Sequence, residues 1–486
     1  MITDIMSSQS NKECVKKPSI IFNSFQKLFL CLLVGVVVWL IPPPEGMDIR
    51  AWRTFAIFLY TLLGMILKPI PVGAITLSSL FFLVLTNILT FKDAFSGFSA
   101  PIVWLIVLAF FIARGFIKTG LGMRIAYRLM ALLGKNTLGM AYGIVFTDWI
   151  LSCAIPSVTA RAGGVIYPVL TSLSQGFGSH PNENPKKMGS YLILTIFQCG
   201  AITSAMFLTA MAGNPMIQSI ALANGFSLSW GMWALAAIVP GLISLLLIPI
   251  VLYKLFPPTI KRTPEAKTFA LAKLNELGKM TYGEWVMVVA FVLMITLWIL
   301  SPFIGVSATV TALGGLLLLV FSNVLTWDDI LKEKGAWDTL IWFASLVVIA
   351  SALNQFGFIQ WFSDNVKGYV SGMSWQVGFL LIALIYYYSH YLFASNIAHI
   401  ASMYAPFLVL SIAIGTPPAL AVLTLGFFSS LFGSLTTYGS GPAPIFFSSG
   451  YVSTKDWWRF GFLISIMNIT IWLGIGSVWW RILGLI

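Results

Sequence analysis

Ser157, Val158, Thr159, Ala160 and Arg161 follow Pro156 in the middle of an apolar segment, and their layout returns as Ser395, Asn396, Ile397, Ala398 and His399. In each copy a hydroxyl residue precedes a cationic or protonatable one by four positions, which predicts a shared helix face one turn apart. Hydroxyls and an asparagine amide donate to carboxylate oxygens, and a guanidinium adds a charged, two-pronged donor. These types in this spacing point to anion recognition. An arginine at membrane depth costs about 2.5 to 3.5 kcal/mol on insertion scales, so Arg161 marks a substrate or ion path unless it snorkels or pairs structurally. His399 reads as a partner of Arg161 in the second copy or as a hydrogen-bonded core histidine.

A second pair of motifs lies downstream. Gly213, Asn214 and Pro215 align with Ser440, Gly441 and Pro442. Helix starts expose unpaired N–H groups and about half a positive charge each, which favours anions. Proline suits the first turn, where its missing N–H is not needed. Two hairpin tips and two Gly-Pro breaks therefore give four half-helix starts. The expected substrate-binding residues are Ser157, Val158, Thr159, Arg161, Gly213, Asn214, Pro215, Ser395, Asn396, Ile397, His399, Ser440, Gly441 and Pro442.

The elements that must position them follow from composition. Of 486 residues, 58% are hydrophobic and only 9% charged, which excludes an ordinary soluble domain and implies an all-α polytopic membrane protein. The net charge of +12 comes from basic residues scattered singly between apolar runs, so they read as topology signals and not as a nucleic-acid surface. Four cysteines and three histidines show no metal-ligand or disulfide spacing. Spanning helices need about 20 apolar residues, and about eleven such runs occur, near 27–43, 51–67, 72–90, 102–118, 188–209, 228–256, 283–301, 306–322, 338–357, 417–434 and 460–485. Two longer apolar regions, 137–174 and 375–411, are interrupted by the serine-led elements and read as re-entrant hairpins. Irregular backbone at that depth is tolerated only inside protein or along a cavity.

The two halves are copies. The run from Val84 to Asp93 aligns with that from Val320 to Asp329. An odd number of spans per copy makes this an inverted-topology repeat, an architecture of secondary transporters. The expected layout is a retained cytoplasmic tail at 1–26, an extra spanning helix at 27–45, a first repeat at 46–256, a cytoplasmic linker at 257–280 and a second repeat at 281–486. Lysine and arginine bias places the N-terminus inside and the C-terminus outside a plasma membrane.

The paired serine-led tips followed by Gly-Asn-Pro and Ser-Gly-Pro resemble the divalent anion:sodium symporter family over nearly the whole chain. The string from Pro156 to Gly164, with Ala398 and His399, is most similar to its 2-oxoglutarate/malate translocator and citrate/succinate antiporter branch. The resemblance implies dicarboxylate transport, a homodimer, and hairpins that move as part of a rigid elevator. Family tips read Ser-Asn-Thr and sit beside two sodium ions; here Val158 and Ile397 depart from that pattern. With Arg161 and His399 supplying charge, the expectation is obligate exchange of 2-oxoglutarate, malate or succinate, with no cofactor and no sodium requirement. Asn396 leaves room for one residual sodium site. The alternatives are a sodium-coupled symporter, a channel and, remotely, an intramembrane enzyme, for which no nucleophile motif stands out. Asp148 reads as a structural group, a partner of Arg161 or a proton carrier.

Overall fold

The computed structural model describes residues 23–369 and 374–486, and most of the expected tail, at 1–22, lies outside them. Helices form every regular element among the described residues. Eight are long and apolar enough to cross a membrane: Ile49–Leu67, Pro101–Thr119, Gly189–Met206, Trp230–Leu255, Tyr282–Ile304, Lys334–Gln355, Asn396–Ala413 and Thr454–Ile482. Ser24–Leu40, Val72–Leu85, Ala308–Phe321 and Pro418–Ser434 are shorter apolar helices. Side-chain caps start many of them. Thr281 accepts from Glu284 N while the Glu284 carboxylate returns to Thr281 N, a reciprocal cap that satisfies two orphan donors.

The centre is a pair of helices, one from each half. Every residue of Gly189–Met206 except Gly200 is buried, as is every residue of Pro418–Leu431 except its first, and the two pack against each other. Burial on all sides explains why neither shows an amphipathic pattern.

Both central helices stop inside the protein, and their free carbonyls find partners from elsewhere. The Asn214 amide donates to Ser204 O at 2.8 Å and Phe207 O at 2.9 Å, and the Trp233 indole donates to Ala205 O at 2.8 Å. In the other half, Asn396 Nδ2 donates to Ser429 O at 3.2 Å. The chain then passes through irregular backbone before Gly213–Ala223 and Pro442–Phe447 begin.

The two interrupted apolar regions are helical hairpins with the same internal order. Thr137–Ser152 leads through a short loop to Val158–Arg161, which runs through a π-helical turn, Ala162–Ile166, into Tyr167–Gly176. Trp375–Tyr388 leads to Asn396–His399, the π turn Ile400–Tyr404, and Ala405–Ala413. Such wide turns are uncommon and cluster at functional sites.

The linker is tied down as well. Its helix Ala266–Glu276 packs on Leu121–Leu133, and the nearly buried Arg124 pairs with Glu284 at 2.5 Å while donating to the Gly278 carbonyl at 2.9 Å.

Candidate functional site: a cavity between two helical tips

Ser157 and Ser395 are helix N-caps: their oxygens accept from Ala160 N at 3.1 Å and Ala398 N at 3.4 Å. Each hydroxyl hydrogen therefore remains free to donate to a ligand. The tips face one another across a cavity of about 210 Å³. Its walls include Ser157, Val158 and Thr159 from the first tip and Ser395, Asn396 and Ile397 from the second. Ser440, Gly441 and Pro442 close a third side. Gly441 is a packing requirement, because a Cβ there would lie 2.0 Å from Thr159 Oγ1.

The remaining expected residues stand behind the wall. Gly213, Asn214 and Pro215 are buried and do not line the cavity. Asn214, the cap described above, also receives a hydrogen bond from Ser430 Oγ at 3.3 Å. Gly213 faces Ile400, whose Cδ1 would be 2.4 Å from an added Cβ.

Arg161 is fully buried, and it spans the whole first half of the site. Its Nε donates to Asp148 Oδ1 at 3.0 Å, one terminal nitrogen donates to Ile155 O at 2.6 Å and Ala210 O at 2.7 Å, and the other reaches Ser204 Oγ at 3.2 Å. Thr203 donates to the second Asp148 oxygen. Four of the guanidinium's five N–H groups are thereby engaged, and the carboxylate offsets its charge. The face shared with Ser157 does not form, because Ser157 is an extended N-cap at φ −92°, ψ 101° whose side chain turns back onto its own helix.

His399 holds the corresponding place in the second half. It is fully buried, its Nδ1 lies 3.0 Å from Nδ1 of His390 and its Nε2 lies 3.1 Å from Ser389 Oγ. No charged side chain is among the residues that line the cavity. Its polarity comes from hydroxyls, Asn396 and helix starts.

Asn396 is the one tip side chain that bears on sodium. Its Oδ1 is buried without a hydrogen-bond partner, and Gly433 makes room for it, since a Cβ there would meet Nδ2 at 2.6 Å. An oxygen so placed suits a hard cation. At the first tip Val158 supplies no such oxygen.

Sequence reasoning missed Ser204, Ser430 and Gly433, which also line the cavity. Their signal was present: Gly200 and Ser204, and Ser430 and Gly433, are pairs of small residues spaced one turn apart at the ends of the two central apolar runs.

Comparison with known proteins adds an independent line. Residues 23–486 match the family model described as the sodium:sulfate symporter transmembrane region. YflS of Bacillus subtilis (strain 168), whose name proposes malate transport, is 53% identical over 460 residues, covering 94% of this chain and 96% of that protein. Dicarboxylate transporter 1, chloroplastic, of Spinacia oleracea is 48% identical over 466 residues, covering 95% of this chain and 82% of that one. Among solved structures, the Alcanivorax borkumensis YdaH transporter superposes with a TM-score of 0.53 at 12% identity, covering 95% of this chain and 97% of that one; that likeness speaks to fold alone.

Proposed function

The chain belongs to the sodium:sulfate symporter family of membrane transporters, and from that premise we propose that it carries C4 to C6 dicarboxylates of the malate, succinate and 2-oxoglutarate class. The observation that carries this is the cavity itself, closed by two tips that each present a capping serine hydroxyl, one for each end of a dianion. Relatives named as dicarboxylate and malate transporters support the same class. Recognition runs through the Ser157 and Ser395 hydroxyls, Asn396 and the N–H groups of the helix starts, whose partial charges attract carboxylates. A binding assay in detergent or nanodiscs tests it: malate or succinate displaces bound substrate at least tenfold better than lactate or phosphate. Equal displacement by a monocarboxylate excludes it.

Obligate, sodium-independent exchange is the finer part of the proposal. With Arg161 offset by Asp148, the support lies in the helix ends. An empty site keeps their positive field with no anion to balance it, so return through a low-dielectric barrier is slow without a second dicarboxylate. Val158 removes one cation ligand. The orphaned Asn396 Oδ1 favours the sodium-coupled alternative. Uptake into proteoliposomes with and without internal dicarboxylate, in sodium and in choline, separates the two; robust uptake into empty vesicles driven by a sodium gradient establishes the symporter.

The proposed setting is a homodimer in the plasma membrane, N-terminus inside and C-terminus outside, with the hairpins and the central helices moving together as an elevator. The hydrogen bonds that join Arg161 to the first hairpin, the Ala210 turn and the helix Gly189–Met206 support such a rigid unit.

A further inference from the structure

The transport reaction above leaves one buried cluster unused. Of the three histidines in the chain, two meet ring to ring behind the second tip. His390 Nδ1 lies 3.0 Å from His399 Nδ1. At one end of the chain of bonds, His390 Nε2 lies 2.9 Å from Gly439 O. At the other, His399 Nε2 lies 3.1 Å from Ser389 Oγ, which is also 2.9 Å from Tyr386 O.

The donors can be counted. A carbonyl only accepts, so His390 Nε2 carries a hydrogen in every state. With no extra proton, His399 Nδ1–H donates to His390 Nδ1 and the Ser389 hydroxyl donates to His399 Nε2. With one extra proton, a single hydrogen lies between the two Nδ1 atoms, His399 Nε2–H donates to Ser389 Oγ, and the hydroxyl turns to Tyr386 O. Both states leave every group bonded. A second proton would set two N–H groups against each other.

Aromatic faces flank the pair. Phe393 stacks on His399 at 4.4 Å and 5°, and Phe432 at 4.4 Å and 21°; aromatic faces attract a cation. Neither histidine forms an ion pair among the described residues. The titratable groups on their own and the neighbouring elements are tyrosines: Tyr386, 4.9 Å from His399 and bonded to Ser429; Tyr387 and Tyr388 after it on the same helix; Tyr391, next to His390; Tyr404, in the π turn after His399; and Tyr438, bonded to Tyr391 O. Arg161, in the equivalent place, is paired with Asp148 at 3.0 Å. The histidine pair has no such carboxylate among the described residues, and its backbone ties reach the cavity wall: His399 N donates to Ser395 O at 3.1 Å, and Gly439, which accepts from His390, precedes Ser440.

We propose that His390 and His399 form a proton-binding site that holds zero or one proton, and that this proton binds together with the anionic substrate. The second clause rests on the dicarboxylate reading; the first does not. The proton comes from bulk water, and no covalent bond other than N–H is made or broken.

The test uses the full chain, labelled with ¹⁵N-histidine, in lipid nanodiscs. With three histidines the spectrum is simple, and exposed His180 serves as a reference. Between about pH 5 and 8, the buried pair should gain one proton in total, and saturating succinate should raise its midpoint by about one pH unit, a tenfold coupling. Lowering the pH through that range should tighten succinate binding by the parent about tenfold, and His390→Asn should remove that dependence. Two rings that stay neutral throughout, with or without succinate, or that gain one proton each, overturn the site. An absence of succinate binding speaks against the dicarboxylate reading instead, and the substrate-free titration then decides the proton site alone. A pair that titrates identically with and without bound succinate overturns the coupling.

Discussion

At the scale of single residues, Arg161 is held behind the cavity wall by Asp148, two carbonyls and Ser204. Arg161→Ala leaves the Asp148 carboxylate buried with only Thr203 for a partner, and breaking a buried pair destabilises by about 3 to 5 kcal/mol. Its melting temperature should fall by several degrees, read by thermal unfolding in detergent. The double variant Arg161→Gln with Asp148→Asn removes both charges and keeps polar groups; it should recover most of that stability and bind succinate within about tenfold of the parent. A folded double variant with no binding would instead give the guanidinium a direct role. Gly441 makes a second prediction. Gly441→Ala drives a methyl into Thr159 Oγ1 and should lower affinity at least tenfold, and adding Thr159→Ala, whose Cβ would be 3.4 Å away, should relieve the clash and restore the melting temperature. Helical spacing brought Arg161 and His399 to notice, but spacing alone does not say which side of a wall a side chain takes. That depended on Ser157 being a cap outside the helix and on Asp148 arriving from the opposite hairpin arm.

Among elements, the two halves also meet where Pro101–Thr119 packs on Ala308–Phe321 and Lys334–Gln355, and one ion pair there is testable. Lys118, at the end of Pro101–Thr119, reaches Asp329 at 2.6 Å, and Asp329 also caps the short helix Trp327–Leu331 through Thr326. The lysine ammonium, followed by the Thr326 backbone, lowers the Asp329 pKa from 3.8 to about 2. A depressed carboxylate stabilises the fold at pH above its ordinary value and loses that contribution as pH falls toward about 2. The lysine is partly exposed, so the effect is about 1 kcal/mol or less. Stability followed from pH 6 to pH 3 in Asp329→Asn should fall less steeply than in the parent; parallel slopes would show that the pair contributes nothing. The breaks and hairpins were legible because glycine, proline and serine interrupt long apolar runs, a signal that survives without any tertiary information. The central role of Gly189–Met206 was not, since a helix buried all round has no polar face to reveal its surroundings.

For the whole molecule, a second cavity of about 100 Å³ lies where the proposed elevator motion calls for a sliding surface. It lies between Phe58 and Val347 on one side and Ile220 and Ala405 on the other. Filling it with Ala350→Phe, on the wall formed by Lys334–Gln355, should slow exchange about tenfold while leaving equilibrium affinity unchanged, because an overpacked interface resists repacking. Unchanged rates would place the sliding surface elsewhere.

The wide turns behind the tips are a shared irregularity. A π turn is rare inside an α-helix and marks functional sites. One follows both Arg161 and His399, at Ala162–Ile166 and Ile400–Tyr404, and a third lies at Thr470–Ile475. The two hairpins thus match in backbone as well as in sequence, while the side chain in the equivalent place differs: an arginine bonded to a carboxylate in one, a histidine facing a second histidine in the other.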